Sequence, residues 1–350
     1  MPWTKLLADS YAQNSYQKKE EKDKGRELTY GEAIREALIQ ALKIDSRVFI
    51  MGEGVDDPAG VFGTTLNLHR EFGENRVFDL PLSENGFTGF AVGAAITGTR
   101  PILVHMRMDF MLLAMDQIVN HAAKWCYMFG GSQCVPLTIR CIIGKGWGSG
   151  AQHSQSLEGL LMHIPGLKIV CPADAYDVKG LLLASIADNN PVIFVEHRWL
   201  FKTSTIVPQN PYLLPLGKGE IKRQGKDITI ITYSLMVQEA LQAAEILSNY
   251  GIDAEVIDLK TIKPLDKPLI IHSVKRTKRA IVATLDWKTA GVSAELSTII
   301  NEETFGILKS PVKRVTLFDL PTPASPVLEE VFYKGKEEIV KVAREMYKQG

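Results

Sequence analysis

The chain has 350 residues, 45% hydrophobic and 23% charged, and its 40 basic and 40 acidic side chains cancel to a formal charge of zero. That length suits two domains, and the balance excludes the basic footprint of a nucleic-acid or anionic-membrane binder. Four cysteines (Cys126, Cys134, Cys141, Cys171) lack CxxC spacing, so they are expected as small buried hydrophobes in a reducing compartment, with no zinc site or disulfide framework. No signal-peptide pattern opens the chain and no apolar run is long enough to span a bilayer, so the expected location is cytoplasmic.

Residues 1–27 are expected to form a solvated extension ending in a run of charge from Gln17 to Arg26, with order beginning at Leu28. Thr29 and Glu32 spell a capping box, and Ala33, Ile34, Ala37, Leu38, Ala41 and Leu42 repeat at helical spacing behind it. Strand-like runs are then expected at 48–51, 77–80, 101–105, 136–143, 167–171 and 192–196, alternating with helices at 86–98, 109–128 and 174–188. Three prolines (Pro208, Pro211, Pro215) in an aperiodic stretch mark a linker over 204–222. A second alternating series follows, with strands at 228–232, 254–257, 280–284 and 312–316. Helices are expected at 236–250, 268–274 and 292–302, with a terminal one from Glu337. The reading is α/β: two domains, 28–203 and 223–350, each with a mostly parallel sheet flanked by helices.

Ligands of open parallel sheets bind at the carboxyl ends of strands. In the first domain those ends carry Glu53, then Glu84, then His105, Arg107 and Phe110, and then His153 in a glycine-rich loop. Gly86, Gly89 and Gly93 share one face of the helix after Glu84; a close backbone neighbour and a close ligand explain such a face equally well. The loop Gly144–Gln155 alternates as GxGxGxG rather than GxGxxG, which excludes the dinucleotide fingerprint and leaves His153 as a mobile acid–base candidate. Taken alone, Glu84 reads as a carboxylate at a helix start and Glu53 as a surface ion-pair partner.

Several segments together carry a family resemblance. They are Asp79–Ala95 with Gly98–Pro101, Asp116–Asn120 with Ala122–Lys124, Gln152–Gln155, Ile164–Lys168, Asp188–Pro191, Val292–Glu295 and Asp319–Ala324. In this order they resemble the β subunits of pyruvate and branched-chain 2-oxoacid dehydrogenases. The resemblance implies a transketolase-like pyrimidine-binding domain followed by a transketolase-type C-terminal domain. It also implies oxidative decarboxylation of a 2-oxoacid through thiamine diphosphate, with acyl transfer to lipoamide.

By the same resemblance, Glu84 holds the cofactor's aminopyrimidine and favours its reactive tautomer, with Glu53, Met106 and Phe110 around the ring. His153 matches the histidine that handles the acyl group, and His105 and Arg107 fall at the substrate entry. Leu137, Ser185, Asp188 and Asn190 fall where members of the family bind potassium. The diphosphate and its Mg²⁺ are expected on a separate α subunit, since no Gly-Asp-Gly occurs in this chain. The implied assembly is α₂β₂, served by a lipoyl acyltransferase. Two other readings stand beside this one: a split transketolase or acyloin-type thiamine enzyme, and a non-catalytic β-like scaffold. Arg107 and Asp109 depart from the pattern of many pyruvate-type members, as do Trp287 and Lys288 in the second domain.

Overall fold

The computed structural model describes residues 2–13 and 25–348. The chain divides into two compact units, one from residues up to 143 with 164–216, the other from 144–163 with 217 onward. The segment 144–163, expected inside the first domain, thus groups with the second.

The first unit runs α1 (Pro2–Gln13), β1 (Arg26–Thr29), α2 (Tyr30–Ile44), β2 (Val48–Gly52), α3 (Leu68–Phe72), β3 (Val77–Asp79), α4 (Glu84–Ile96) and β4 (Arg100–His105). It continues with α5 (Met108–Met111), α6 (Ala123–Met128) and β5 (Thr138–Ile143). After a segment carrying α7 (Glu158–Met162), the chain returns with β6 (Lys168–Val170), α8 (Ala175–Ala187), β7 (Val192–His197) and β8 (Ser204–Val207). Within this unit six strands lie side by side in the order β6-β7-β5-β4-β2-β3, every pair parallel. Such strands are covered on both faces, which is why β4, β5 and β7 are buried at every position. A buried ion pair interrupts the apolar runs of β5 and β7. Arg140 of β5 and Glu196 of β7 pair through two hydrogen bonds, Nε to Oε1 at 2.5 Å and Nη2 to Oε2 at 2.9 Å.

The capping box forms as expected: the Glu32 N–H donates to Thr29 Oγ1, and the Thr29 N–H donates to Glu32 Oε2 at 2.8 Å. The apolar stripe of α2 packs on α8, which is itself buried almost all round.

The second unit adds β9 (Glu220–Arg223), β10 (Ile228–Thr232), α9 (Leu235–Ser248), β11 (Ala254–Asp258) and β12 (Thr261–Lys263). Then come α10 (Lys267–Thr277), β13 (Ala280–Trp287), α11 (Val292–Thr304), β14 (Lys313–Leu317), α12 (Pro326–Phe332) and α13 (Lys336–Lys348). Its sheet has the order β14-β13-β10-β11-β9, parallel except for β9 at the edge. Ile339, Ala343 and Met346 of α13 and Ala240, Ala243 and Leu247 of α9 close over Ile230, Val256 and Ile281. Each large aliphatic side chain so buried contributes roughly 1.5–3 kcal/mol.

Four expectations need correction. The extension is not wholly solvated: α1 is helical, Trp3 is 2% exposed, and its indole N–H donates to Asp45 at 2.9 Å. Most of the charged run, Gln17 to Lys24, lies outside the described residues, and order on its far side starts at Arg26, before Leu28. The stretch read as linker contains β8, which pairs with β1, and the first residues of β9. The helix expected over 109–128 changes pitch along its length, from α5 through a 3₁₀ turn (Leu112–Ala114) and a π segment (Gln117–Ala122) to α6. Apolar periodicity cannot reveal such changes, because each pitch still buries one face. Finally, Cys126 and Cys134 form a disulfide, whereas Cys141 and Cys171 are buried outside it. The turn through Gly130 and Gly131, both at positive φ, folds the chain back and brings the two Cα atoms to 4.4 Å. No described helix is long and apolar enough to cross a membrane.

Candidate functional site

In the first unit the strand order reverses next to β2: the chain runs from β2 to β3 on one side, then to β4 on the other. Such a switch point opens a crevice at the carboxyl ends of the strands. Gly52 ends β2 in register with Asp79 of β3 and Val104 of β4, so Glu53, the turn after Asp79 and His105 leave the sheet on one rim. A Cβ on Gly52 would lie 2.5 Å from the Val104 carbonyl oxygen, so the strands close here only around a glycine.

Three carboxyl groups gather on that rim. Glu53 is half-buried, and its pKa is raised first by burial, then by the charges of Glu84 and Asp79. Asp79 Oδ1 accepts the Gly54 N–H at 2.5 Å, which fixes the turn that carries Glu53. Glu84, half-buried, is the first residue of α4 behind the N-cap Ser83, where the helix dipole favours negative charge. The helix begins two residues earlier than its glycines suggested. Gly89 faces the Gln117 side chain, which would be 3.2 Å from an added Cβ, while Gly93 has nothing within 4 Å. Close helix packing therefore accounts for Gly89 and leaves Gly93 bare.

His105, the last residue of β4, is buried with its Nε2 3.5 Å from Thr88 Oγ1, one turn along α4 from Glu84. Burial pushes its pKa down to about 4, so the ring is neutral at pH 7. Met106 and Phe110 are half-buried on the segment that follows. Arg107, 7% exposed at the N-cap of α5, turns its charge toward the end of β7. There, burial and then the Arg107 charge lower His197 to about 3 and Arg198 to about 10. Arg198 also lies over the Phe62 ring, 5.3 Å from its centroid. The structure thus brings Glu53, Glu84 and His105 together and sets Arg107 beside a neutral histidine and a second arginine.

His153 belongs to the second unit. It is exposed after a 3₁₀ turn (Gly150–Gln152), and its N–H donates to the Gly150 carbonyl at 3.4 Å. On either side of it, Ala151 and Gln155 line an open cleft of about 490 Å³ with Trp287, Thr289, Asp319 and Leu320. The Trp287 indole N–H donates to the Leu320 carbonyl at 2.8 Å, which holds that wall.

Hydrogen bonds and one ion pair tie together the residues expected to bind potassium. Asp188 is ion-paired with Lys168 through Oδ2, and its Oδ1 accepts the Asn190 N–H at 2.8 Å. Its carbonyl accepts Arg100 Nη1 at 2.8 Å, Ser185 Oγ donates to the Leu181 carbonyl at 2.7 Å, and the Leu137 carbonyl accepts the Val192 N–H at 2.9 Å. Among these residues Lys168 and Arg100 engage Asp188 alone, and a carbonyl oxygen that accepts one hydrogen bond keeps a second lone pair. Asp79, His197 and Arg198 escaped the strand-end survey, although all three sit at strand ends; Asp79 was read only as part of a longer motif.

The rim suits a flat, weakly basic heteroaromatic ring: paired carboxyl groups of which one has a raised pKa, a neutral histidine and an aromatic neighbour. Comparison with known proteins agrees. Residues 26–203 match the transketolase pyrimidine-binding domain and residues 217–339 the transketolase C-terminal domain. The acetoin:2,6-dichlorophenolindophenol oxidoreductase subunit beta of Cupriavidus necator is 42% identical over 335 residues, covering 93% of this chain and 99% of that protein. The pyruvate dehydrogenase E1 component subunit beta of Rickettsia felis is 42% identical over 320 residues, covering 91% and 98%. The 2-oxoisovalerate dehydrogenase subunit beta of Bacillus subtilis is 40% identical over 321 residues with the same coverage. A solved split gene transketolase, an inactive beta4 tetramer, superposes with a TM-score of 0.76 at 22% identity, covering 92% of this chain and 99% of that one, and speaks for the fold alone. Fold and rim together define one half of a transketolase-type thiamine enzyme. The chain belongs to the family of β subunits of the decarboxylating component of 2-oxoacid dehydrogenases.

Proposed function

We propose that this chain is the β half of a thiamine-diphosphate enzyme that, with an α subunit, oxidatively decarboxylates a 2-oxoacid and passes the acyl group to lipoamide. The observation that carries the reading is the Glu53–Glu84 pair at the switch point, where burial and like charge raise the Glu53 pKa. When bound, thiamine diphosphate supplies the electron sink for cleavage next to a carbonyl. Glu84 exchanges a proton with the pyrimidine ring nitrogen, and Glu53 borders it as a second carboxyl group whose burial and like-charged neighbours favour its neutral form. Met106 and Phe110 pack the ring and exclude water. His105, held neutral, can donate or accept one hydrogen bond without adding charge. Arg107 and Arg198 make the neighbouring strand ends cationic, which favours an anionic 2-oxoacid such as pyruvate or a branched-chain acid.

His153 moves a proton on the acyl group during its transfer. The diphosphate and Mg²⁺ belong to the α subunit in an α₂β₂ assembly, with a lipoyl acyltransferase as the acceptor. Residues 28–203 act as the pyrimidine-binding domain, 204–222 as the connection and 223–350 as the C-terminal domain. Backbone carbonyls among Leu137, Ser185, Asp188 and Asn190 would hold a structural potassium ion.

A second reading has its own support, because relatives named for acetoin are as similar as those named for pyruvate. In that case the carbon–carbon bond cleaved joins the carbonyl carbon to a carbinol carbon rather than to a carboxylate, and no CO₂ leaves. Co-purification with an α subunit and a screen of 2-oxoacids and acetoin separates the two: CO₂ release supports the first, acetoin consumption without CO₂ the second. In the same assembly Glu84→Gln should lower turnover by about 100-fold or more while the complex still forms; wild-type turnover removes Glu84 from the chemistry. His153→Ala should depress lipoamide acylation more than reduction of an artificial electron acceptor, and equal losses would count against an acyl-transfer role.

A further inference from the structure

The segment 144–163 leaves the first unit's sheet at the end of β5 and packs on the second unit through a series of specific contacts. Lys145 pairs with Glu329 at 3.7 Å and lies over the Tyr333 ring, 4.9 Å from its centroid. A Cβ on Gly148 or on Gly150 would touch Ala324, at 3.3 Å in each case. Lys263 Nζ donates to the Met162 carbonyl at 2.6 Å. The deepest contact is at the start of α7. Glu158 is 0% exposed and accepts the Tyr233 hydroxyl at 3.3 Å, while its Oε2 is buried with no hydrogen-bond partner.

Beside it, a Cβ on Gly159 would lie 3.2 Å from Gly291 Cα and 3.4 Å from Asp286 Oδ2. Asp286 is 2% exposed; its two oxygens accept the Thr284 hydroxyl and the Val292 N–H, both at 2.5 Å, so it caps α11. The start of α7 therefore presses backbone to backbone on the start of α11, with one buried carboxyl group on each side of the contact.

We propose that Glu158, buried against Asp286, is a positioning residue that pins the segment 144–163, and with it His153, onto the second unit. Two buried carboxylates cannot both be charged at close range without a large desolvation cost. Burial and then the Asp286 charge raise Glu158 to about 8, and burial raises Asp286 as well. At pH 7 the pair thus carries at most one charge, and the partnerless Oε2 belongs to a neutral acid. Other charged groups are too few or too far engaged to change this. The Arg314 charge lowers Asp286 by less than burial raises it. Lys263 is spent on the Met162 carbonyl. His163, Lys267 and Glu295 border the cleft beside α7 and α11, and none of them is among the influences on Glu158.

The sign follows from the raised pKa. Below about pH 8 the folded segment holds a proton that a released Glu158, with an ordinary carboxyl pKa, would lose. Anchoring is therefore full at low pH and weakens as pH rises, by about tenfold in the docking equilibrium per pH unit until the folded pKa is passed. The consequence for acyl transfer depends on the role proposed for His153; the anchoring does not.

The test uses the chain assembled with its α subunit and measures amide hydrogen exchange over residues 150–163 from pH 7 to 9.5, corrected for the intrinsic rate. Wild type should lose protection by about tenfold or more across that range. Glu158→Gln, which stays neutral and can still accept from Tyr233, should keep it, whereas Asp286→Asn, which removes only the lesser cause and leaves Glu158 buried, should lose protection by less than wild type does. Flat, equal protection in wild type and Glu158→Gln overturns the proposal. The ratio of lipoamide acylation to artificial-acceptor reduction is read on the same samples. If protection falls as expected while that ratio stays constant, the anchor stands and the His153 reading fails.

Discussion

Replacing Arg140 by methionine probes the one full ion pair buried in the first unit's sheet. The guanidinium and carboxylate are 1% and 0% exposed, joined by bonds of 2.5 and 2.9 Å, and Arg140 Nη2 also donates to Thr64 at 3.0 Å. Methionine fills much of the volume but leaves the Glu196 carboxylate buried without its cation. Removing one member of such a pair costs about 3–5 kcal/mol, whereas replacing both by apolar groups is often neutral. Arg140→Met alone should therefore lose about 3–5 kcal/mol at pH 7, and Arg140→Met/Glu196→Met should recover most of it. In the single variant Glu196 can escape only by taking up a proton, so its folded pKa rises above the unfolded one and the penalty shrinks as pH falls toward 5. Urea unfolding followed by circular dichroism at the two pH values measures each term. A loss under about 1 kcal/mol in the single variant, or a double variant as damaged as the single, refutes the reasoning.

Two further outcomes are expected. Gly166 sits at φ +98°, and a Cβ there would lie 1.9 Å from the Ala123 carbonyl oxygen, so Gly166→Ala should cost about 3 kcal/mol or more and lower the midpoint of thermal unfolding; an unchanged midpoint would contradict the packing between that turn and α6. In denaturant without reductant, an alkylating reagent should label only Cys141 and Cys171, and reduction should expose Cys126 and Cys134 to it as well; four labels before reduction would exclude the disulfide.

The alternation of strands and helices was legible because a sheet covered on both faces demands continuous apolar runs, and those runs stand out in any order of reading. The capping box at Thr29 and Glu32 was legible for a related reason: its bonds span three residues and need nothing from elsewhere. Glu53, Glu84 and His105 could be picked as strand-end residues for the same local reason. Their mutual approach could not, because it follows from β2 lying between β3 and β4, an order that no window of sequence contains.

What escaped reading was decided by partners far apart in the chain. Trp3 gives α1 a place only because Asp45 lies within reach, and Cys126 meets Cys134 only because a glycine turn reverses the chain. The residues expected to bind potassium could be named in order, but that Lys168 and Arg100 both converge on Asp188 could not. Glu158 passed as one charge on a short helix until Asp286 closed over it. By itself the sequence determined the two α/β layers, the family and the residues at the strand ends, since these are set by local pattern and short-range bonds. Only the tertiary structure decided which carboxyl groups meet, because proton sharing depends on distance and burial, and both belong to the folded chain.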